Sequence, residues 1–324
     1  MTTIKDVAQK AGVSIATVSR VINKRGSLSD KTIEKVNKAM EELHYKPNTI
    51  ARSLVKGKHY CIGVILPNLS SPFWSQMAHE LEKAAAQRGY SIMITVAPDK
   101  KVSDYIERFE YLAASMPEGI ITSYISNTED YLYQSAVPFV IIGNTRFTPS
   151  VSSNDDQGGT LATRHLIAKG CRNLIHISGN LKGRSSGNAR SFAFMRECEK
   201  RDIPYKIYQL NEAQLNELDF SGVISDIFYE NSDFDGIFAS NDILAAHCIS
   251  TALSLGYKIP EDIRIIGYDD VNISPLIYPP LTTIHQDIGK LAKAAVDTLI
   301  QRVNGMEIPE RQVFPVKLIE RKTT

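Results

Sequence analysis

From residue 60 onward, short apolar runs of strand length alternate with longer amphipathic stretches. That alternation restricts the fold more than any other feature, because parallel strands need crossovers long enough to hold a helix. The spacing predicts strands at 61–66, 91–96, 119–122, 139–142, 173–177, 205–209, 236–239 and 263–268. Between them it predicts helices at 73–88, 105–114, 160–169, 189–201 and 242–255. Roughly 260 residues is large for one sheet of this kind, so two lobes with a cleft between them are expected. The expected class is α/β, with parallel sheets flanked by helices in the body and a small all-α head before it.

The first 60 residues are a different kind of chain. They carry 12 Lys+Arg and 5 Asp+Glu, whereas the remaining 264 carry 25 and 31. The net charge of +1 is therefore the sum of +7 and −6. A basic head on an acidic body suggests a polyanion-binding module joined to a part that binds something else.

Within the head, Ile4, Val7, Ala8 and Ala11 share one helical face, with Thr3 and Asp6 placed as a short capping box. Gly12-Val13-Ser14 makes a turn, and Ser14 can cap a second helix over 15–22 that turns Val18 and Val21 inward. Two short helices joined by such a turn form a helix-turn-helix. A third helix begins near Ser29, with Ile33, Val36, Met40 and Leu43 inside, and is predicted to run until Tyr45-Lys46-Pro47 ends it. The second helix of such a motif enters the DNA major groove. That makes Ile15, Ala16, Ser19, Arg20 and Asn23 candidates for base contact. Arg20 suits guanine, and Ile15 and Ala16 suit thymine methyls. Ser14, Thr17 and Asn23 suit phosphates, which set register. A plain helical bundle with a solvated basic face is the bland alternative.

In the body, ligands of open α/β sheets sit beyond the carboxyl ends of the strands. At those ends stand Phe73 and Trp74, the chain's one tryptophan, then Arg190, Asn241-Asp242 and Asp269-Asp270. An aromatic can stack on a sugar face or simply fill core. One guanidinium, one amide and several carboxylates suit a neutral polyol better than a phosphate. Rival chemistries find little support. Gly183-Arg184-Ser185-Ser186-Gly187 matches the nucleophile-elbow pattern but lies several residues beyond its strand, as a mobile loop would. His79-Glu80 lacks a second zinc-binding His, and no phosphate-binding loop is present. No catalytic set, metal or cofactor is expected. The four cysteines (Cys61, Cys171, Cys198, Cys248) are scattered, and the N-terminus lacks an apolar signal region, so a cytoplasmic protein without membrane contact is expected.

Two long runs, T-I-K-D-V-A-Q-K-A-G-V-S-I-A-T-V-S-R-V-I-N and Y-K-P-N-T-I-A-R-S-L, resemble the LacI/GalR family of bacterial transcription regulators. The blocks P-N-L-S-S-P-F-W, A-S-N-D-I-L-A, I-I-G-Y-D-D and P-P-L-T-T-I-H-Q-D extend the resemblance over nearly the whole chain. It implies a helix-turn-helix domain at 1–46, a hinge helix and linker at 47–59, and a periplasmic-binding-protein-like body at 60–324. Lobe one would take about 60–159 and 288–317, and lobe two about 160–287. The hinge helix, near Asn48–Leu54, would order on operator DNA, with Asn48 and Ala51 at the interface and Leu54 wedged into the minor groove. The implied effector residues are Ser71, Phe73, Trp74, Arg190, Asn241, Asp269 and Gln286. Two departures stand out: Asn154-Asp155-Asp156 at the crossover, and Ala193 where the family usually has Gly. The implied function is a sugar-responsive operon repressor acting as a homodimer on a roughly palindromic operator. No leucine heptads follow Glu320, so a dimer rather than a coiled-coil tetramer is expected. A phosphocarrier protein, the partner of one branch of the family, stays open. The alternatives are a solute-binding receptor of the same two-lobed fold, and an α/β enzyme such as a sugar hydrolase.

Overall fold

In the head, Thr3 accepts a hydrogen bond from the Asp6 backbone while Asp6 accepts one from the Thr3 backbone, closing the capping box that starts α1 (Ile4–Ala11). Gly12, at φ 66°, ends it in the left-handed conformation that glycine adopts cheaply. Ser14 then accepts from the Thr17 backbone at 3.1 Å to open α2 (Ile15–Ile22). α3 (Asp30–Glu42) completes a core of Val7, Ala8, Val18, Val36 and Ala39, with Met40 and Leu43 packed half-buried around it. This helix stops earlier than Pro47 requires, because His44 takes φ 46° and reverses the backbone first.

The computed structural model describes residues 2–22, 28–45, 59–97, 101–124, 128–179, 181, 186–211, 214, 220–231 and 233–324. Asn23, the hinge segment with Asn48, Ala51 and Leu54, and Gly183–Ser185 of the elbow-like pattern lie outside them. The chain divides into two units, Met1–His59 and Tyr60–Thr324.

The second unit holds two six-stranded sheets. The first is ordered β11-β5-β4-β3-β1-β2 and is parallel throughout. Its strands are β1 (Cys61–Leu66), β2 (Ser91–Val96), β3 (Gly119–Ser123), β4 (Phe139–Ile142), β5 (Ser150–Ser153) and β11 (Arg311–Phe314). The second is ordered β12-β10-β9-β8-β6-β7, with only β12 (Lys317–Ile319) antiparallel to its neighbour. It contains β6 (Leu174–Ser178), β7 (Tyr205–Gln209), β8 (Gly236–Ala239), β9 (Arg264–Asp269) and β10 (Thr282–His285).

Helices cover both faces of each sheet. Alternate residues of β1, β3, β4 and β5, such as Val64, Ile121, Val140 and Val151, meet α4 (Pro72–Ala86) and a long helix at Ile288–Val303. Their neighbours, such as Ile65, Ile120 and Ile141, meet Tyr105, Phe109 and Leu112 of α5 (Val102–Ala114) and Leu132 of α6 (Glu129–Gln134). In the second sheet, α7 (Asp155–Ala168) and α8 (Ser186–Glu199) cover one face. α9 (Ser221–Glu230) and α10 (Asp242–Ser254) cover the other, and the 288–303 helix is α11. With helices on both faces, the central strands are buried at nearly every position, which is why they read as continuous apolar runs.

The chain passes between the sheets three times: at Asn154, at 286–287 and at 315–316. The first crossing differs from the sequence expectation. α7 begins at Asp155 rather than near Thr160, because Asn154 caps it by accepting from Gln157 N at 3.0 Å. Gly158 and Gly159, which weaken a helical reading, are needed there for close packing. A Cβ at Gly158 would lie 2.2 Å from the Tyr268 hydroxyl, and one at Gly159 would lie 2.4 Å from the Arg190 carbonyl oxygen. β5, β10, β11, β12, α6, α9 and α11 are additions that the strand-helix alternation did not predict.

Candidate functional site

β6, β8, β9 and β10 are hydrogen-bonded neighbours, so the residues beyond their carboxyl ends share one edge. Arg190, one turn into α8, is the centre of that edge. Its Nε donates to Asp155 Oδ1 at 2.8 Å and its Nη1 to the Ser240 carbonyl at 2.7 Å. Its Cζ lies 3.6 Å from the centroid of the Tyr268 ring, and Asp269 Oδ1 stands 3.7 Å from Nη1. Burial opposes the guanidinium charge, but the carboxylate of Asp155 and its neighbours outweigh it and hold Arg190 protonated. The Tyr268 hydroxyl adds a second donor to Asp155 Oδ1 at 3.3 Å.

Asn154-Asp155-Asp156 thereby resolves into three jobs. Asn154 caps the helix, Asp155 is buried against Arg190, and exposed Asp156 pairs with Arg196 at 2.8 Å. Ala193 packs where α7 and α8 approach, its Cβ 2.9 Å from where a Gly159 side chain would begin.

Asp269 ends β9 with φ 110°, a conformation that L-residues adopt at a cost. Gln286, the residue after β10, donates to Asp269 Oδ1 at 2.7 Å. Burial pushes the Asp269 carboxyl up to about 8, against the pull of Arg190 and Gln286. That shift favours the protonated form, which can donate as well as accept.

Asn241 caps α10, its Oδ1 accepting from Leu244 N at 2.9 Å, so that its amide nitrogen is left as the side chain's donor. Asp242, grouped with it in the sequence, works inward. It accepts from Val271 N at 3.0 Å, Ser274 Oγ at 2.6 Å and Thr283 Oγ1 at 2.5 Å, and burial raises its carboxyl to about 6.

In the first sheet the loop after β1 carries Ser71, whose backbone N–H donates to Asn68 Oδ1 at 2.8 Å just before α4. Phe73 and Trp74 meet edge to face, 5.0 Å between centroids at 84°. Both are half-buried against the core of that lobe, so each fills core and still offers a face. Sequence reasoning missed three residues here. Tyr268 stacks under Arg190 from the same buried face of β9 as Ile266. Ser123 and Ser153 end β3 and β5 with buried hydroxyls that have no hydrogen-bond partner among the described residues. For Ser123 a hydroxyl residue closing a largely apolar strand was the available signal, whereas the Ser-Val-Ser-Ser strand that ends in Ser153 offered none.

In the head, Ile15, Ala16 and Arg20 are exposed on one side of α2, with Thr17 and Ser19 partly covered. Ile15 is 45% exposed, a large apolar side chain left in solvent at the start of the helix. Ser14 and Thr17, expected at phosphates, share a 2.9 Å hydroxyl bond beside the bond from Thr17 N–H to Ser14 Oγ that caps the helix.

A body of two parallel-sheet lobes with polar groups gathered at strand ends, and a separate helix-turn-helix, define a DNA-binding regulator with a solute-binding type of body. Residues 3–48 match the family model for bacterial regulatory proteins of the lacI family, and residues 163–324 match the periplasmic binding protein-like domain. The chain is 32% identical to the ribose operon repressor of Halalkalibacterium halodurans, over all of this chain and 97% of that one. It is 35% identical to the sucrose operon repressor of Lactococcus lactis, over 98% of each. A crystal structure of the lac repressor dimer bound to operator and the anti-inducer ONPF superposes with a TM-score of 0.88 at 28% identity, covering 99% and 98% of the two chains. The protein belongs to the lacI family of bacterial regulatory proteins.

Proposed function

We propose that the protein is a cytoplasmic, homodimeric repressor of a carbohydrate operon, released from or fixed to its operator by a neutral sugar. The observation that carries the sugar is the Arg190 centre. Its one guanidinium is compensated by Asp155, and the acids beside it leave no net positive charge for a phosphate. An aromatic pair in the other lobe supplies an apolar face for a ring. Ser71, Phe73, Trp74, Arg190, Asn241, Asp269 and Gln286 form the effector site in this reading. Ser14, Ile15, Ala16, Thr17, Ser19, Arg20 and Asn23 read DNA in this reading, and Asn48, Ala51 and Leu54 act from the hinge. Head, hinge and body take 1–46, 47–59 and 60–324. Relatives named for ribose and sucrose operons support the class of effector.

The discriminating experiment is a thermal-shift panel of neutral pentoses, hexoses, disaccharides and their phosphates, followed by fluorescence anisotropy on operator DNA with the stabilising sugar. Stabilisation follows RT ln(1 + [L]/Kd), so a true effector separates from the panel. A neutral sugar that stabilises the protein and shifts operator affinity is expected; preference for a sugar phosphate would sink the reading of the site. Anisotropy with added phosphocarrier protein tests the further partner. The second reading, a solute-binding receptor, has the body's family match in its favour and predicts sugar binding with no operator affinity at all.

A further inference from the structure

Asp269 and Asp270 both occupy the left-handed half of backbone space, at φ 110° and 56°. Two successive non-glycine residues there persist only where the surroundings hold them. Asp269 is held from inside the site by Gln286 and Arg190. Asp270 faces a different set of groups. Its Oδ1 accepts from Arg321 Nη2 at 2.6 Å and its Oδ2 from His285 Nδ1 at 2.8 Å. Arg321 is anchored in turn: its Nη1 donates to the Leu281 carbonyl at 2.7 Å and its backbone N–H to Thr282 Oγ1 at 2.9 Å. The next residue, Val271, donates its N–H to buried Asp242. The 269–271 turn is therefore gripped by β10, by the segment after β12 and by the start of α10. Asp270, His285 and Arg321 are partly buried, with side-chain exposures of 15%, 30% and 19%, so the grip is only partly screened by solvent.

We propose that Arg321 and His285 are positioning residues of the effector site, which clamp Asp270 and so hold the Asp269 carboxyl toward Arg190 and the ligand. This rests on the reading of Asp269 as an effector residue and deepens it. The residue that sets effector affinity then lies 52 positions away in sequence, on a segment that touches no ligand.

The test uses the full-length chain with no sugar added. In Arg321→Gln and Asp270→Asn, hydrogen–deuterium exchange at the 269–271 amides is expected to rise at least about tenfold, with β1 to β4 unchanged. His285→Ala, which leaves Arg321 in place, gives a smaller rise, and Arg321→Lys, which restores the charge without the fork, recovers part of the protection. Carbon-13 NMR of the Asp269 carboxyl, assigned by its loss in Asp269→Asn, titrates well above ordinary aspartate in the parent. Released from the clamp, it moves down by at least about one pH unit. Faster exchange spread over both lobes, with the Asp269 titration unmoved, means a merely structural ion pair and overturns the proposal; so does parent-like exchange at 269–271. If Arg321→Gln does not fold, Asp270→Asn carries the same two readouts. Neither uses a sugar, so a silent sugar panel counts against the effector reading and not against the clamp.

Discussion

Removing one partner of the Arg190–Asp155 pair strands the other as a buried, uncompensated charge, which typically costs about 3–5 kcal/mol. Arg190→Ala should therefore lower unfolding free energy by roughly that amount in urea titrations, besides abolishing the sugar response. A cost under about 1 kcal/mol would mean that Asp155 finds water or another partner. Asp269 gives the pH dependence. Its folded-state pKa lies above its ordinary value, at about 8, so the native state binds more protons than the unfolded chain between the two values. The stability it contributes is full below about pH 4 and is lost as pH rises toward 8. Asp269→Asn should then lose less stability than the parent between about pH 5 and about pH 8. Parallel curves would refute the assignment, with Asp242 contributing a smaller slope of the same sign to both proteins. At this scale, Arg190, Asn241 and Asp269 were legible because strand ends are where ligands bind. Asp155 was not, since three adjacent polar residues look alike until one is buried by Arg190 and Tyr268.

α7 and α8 pack so closely that backbone of one nearly touches the other, and two features permit it: the Asn154 cap and the Gly158-Gly159 pair. Gly159→Ala should destabilise by about 1–3 kcal/mol in urea unfolding, because the Arg190 carbonyl it meets is backbone and cannot swing aside. Asn154→Ala should cost only about 1 kcal/mol, the usual loss of an N-cap side chain. If Gly159→Ala proves the milder change, the helices do not approach as described. The apolar strands β1, β3, β4, β6, β8 and β9 were readable because both of their faces are buried. β5 was not, for its Ser-Val-Ser-Ser sequence is buried in spite of its polarity. β11 and β12 contain only exposed and half-buried positions, so no apolar run announces them.

Charge is partitioned over the whole molecule. With +7 in the first 60 residues, operator affinity should fall by about a thousandfold or more between roughly 50 and 200 mM salt, as phosphate-bound counterions are released. Sugar affinity, measured by Trp74 fluorescence on the same preparation, should stay flat, because a neutral ligand displaces no counterions. Equal salt slopes for both would contradict the division of labour. The head's short motif and the body's alternation made that division legible, whereas the path of the chain between lobes was implied by the family resemblance alone, since sequence order says little about which sheet a late strand joins. That path has a practical consequence for anyone exchanging specificity between relatives. A graft of lobe two taken as the single block 155–286 would separate β12 from the sheet it borders, and with it Arg321 from Asp270. A working chimera needs three junctions, at Asn154, at 286–287 and at Pro315, so the donor supplies two pieces of chain rather than one.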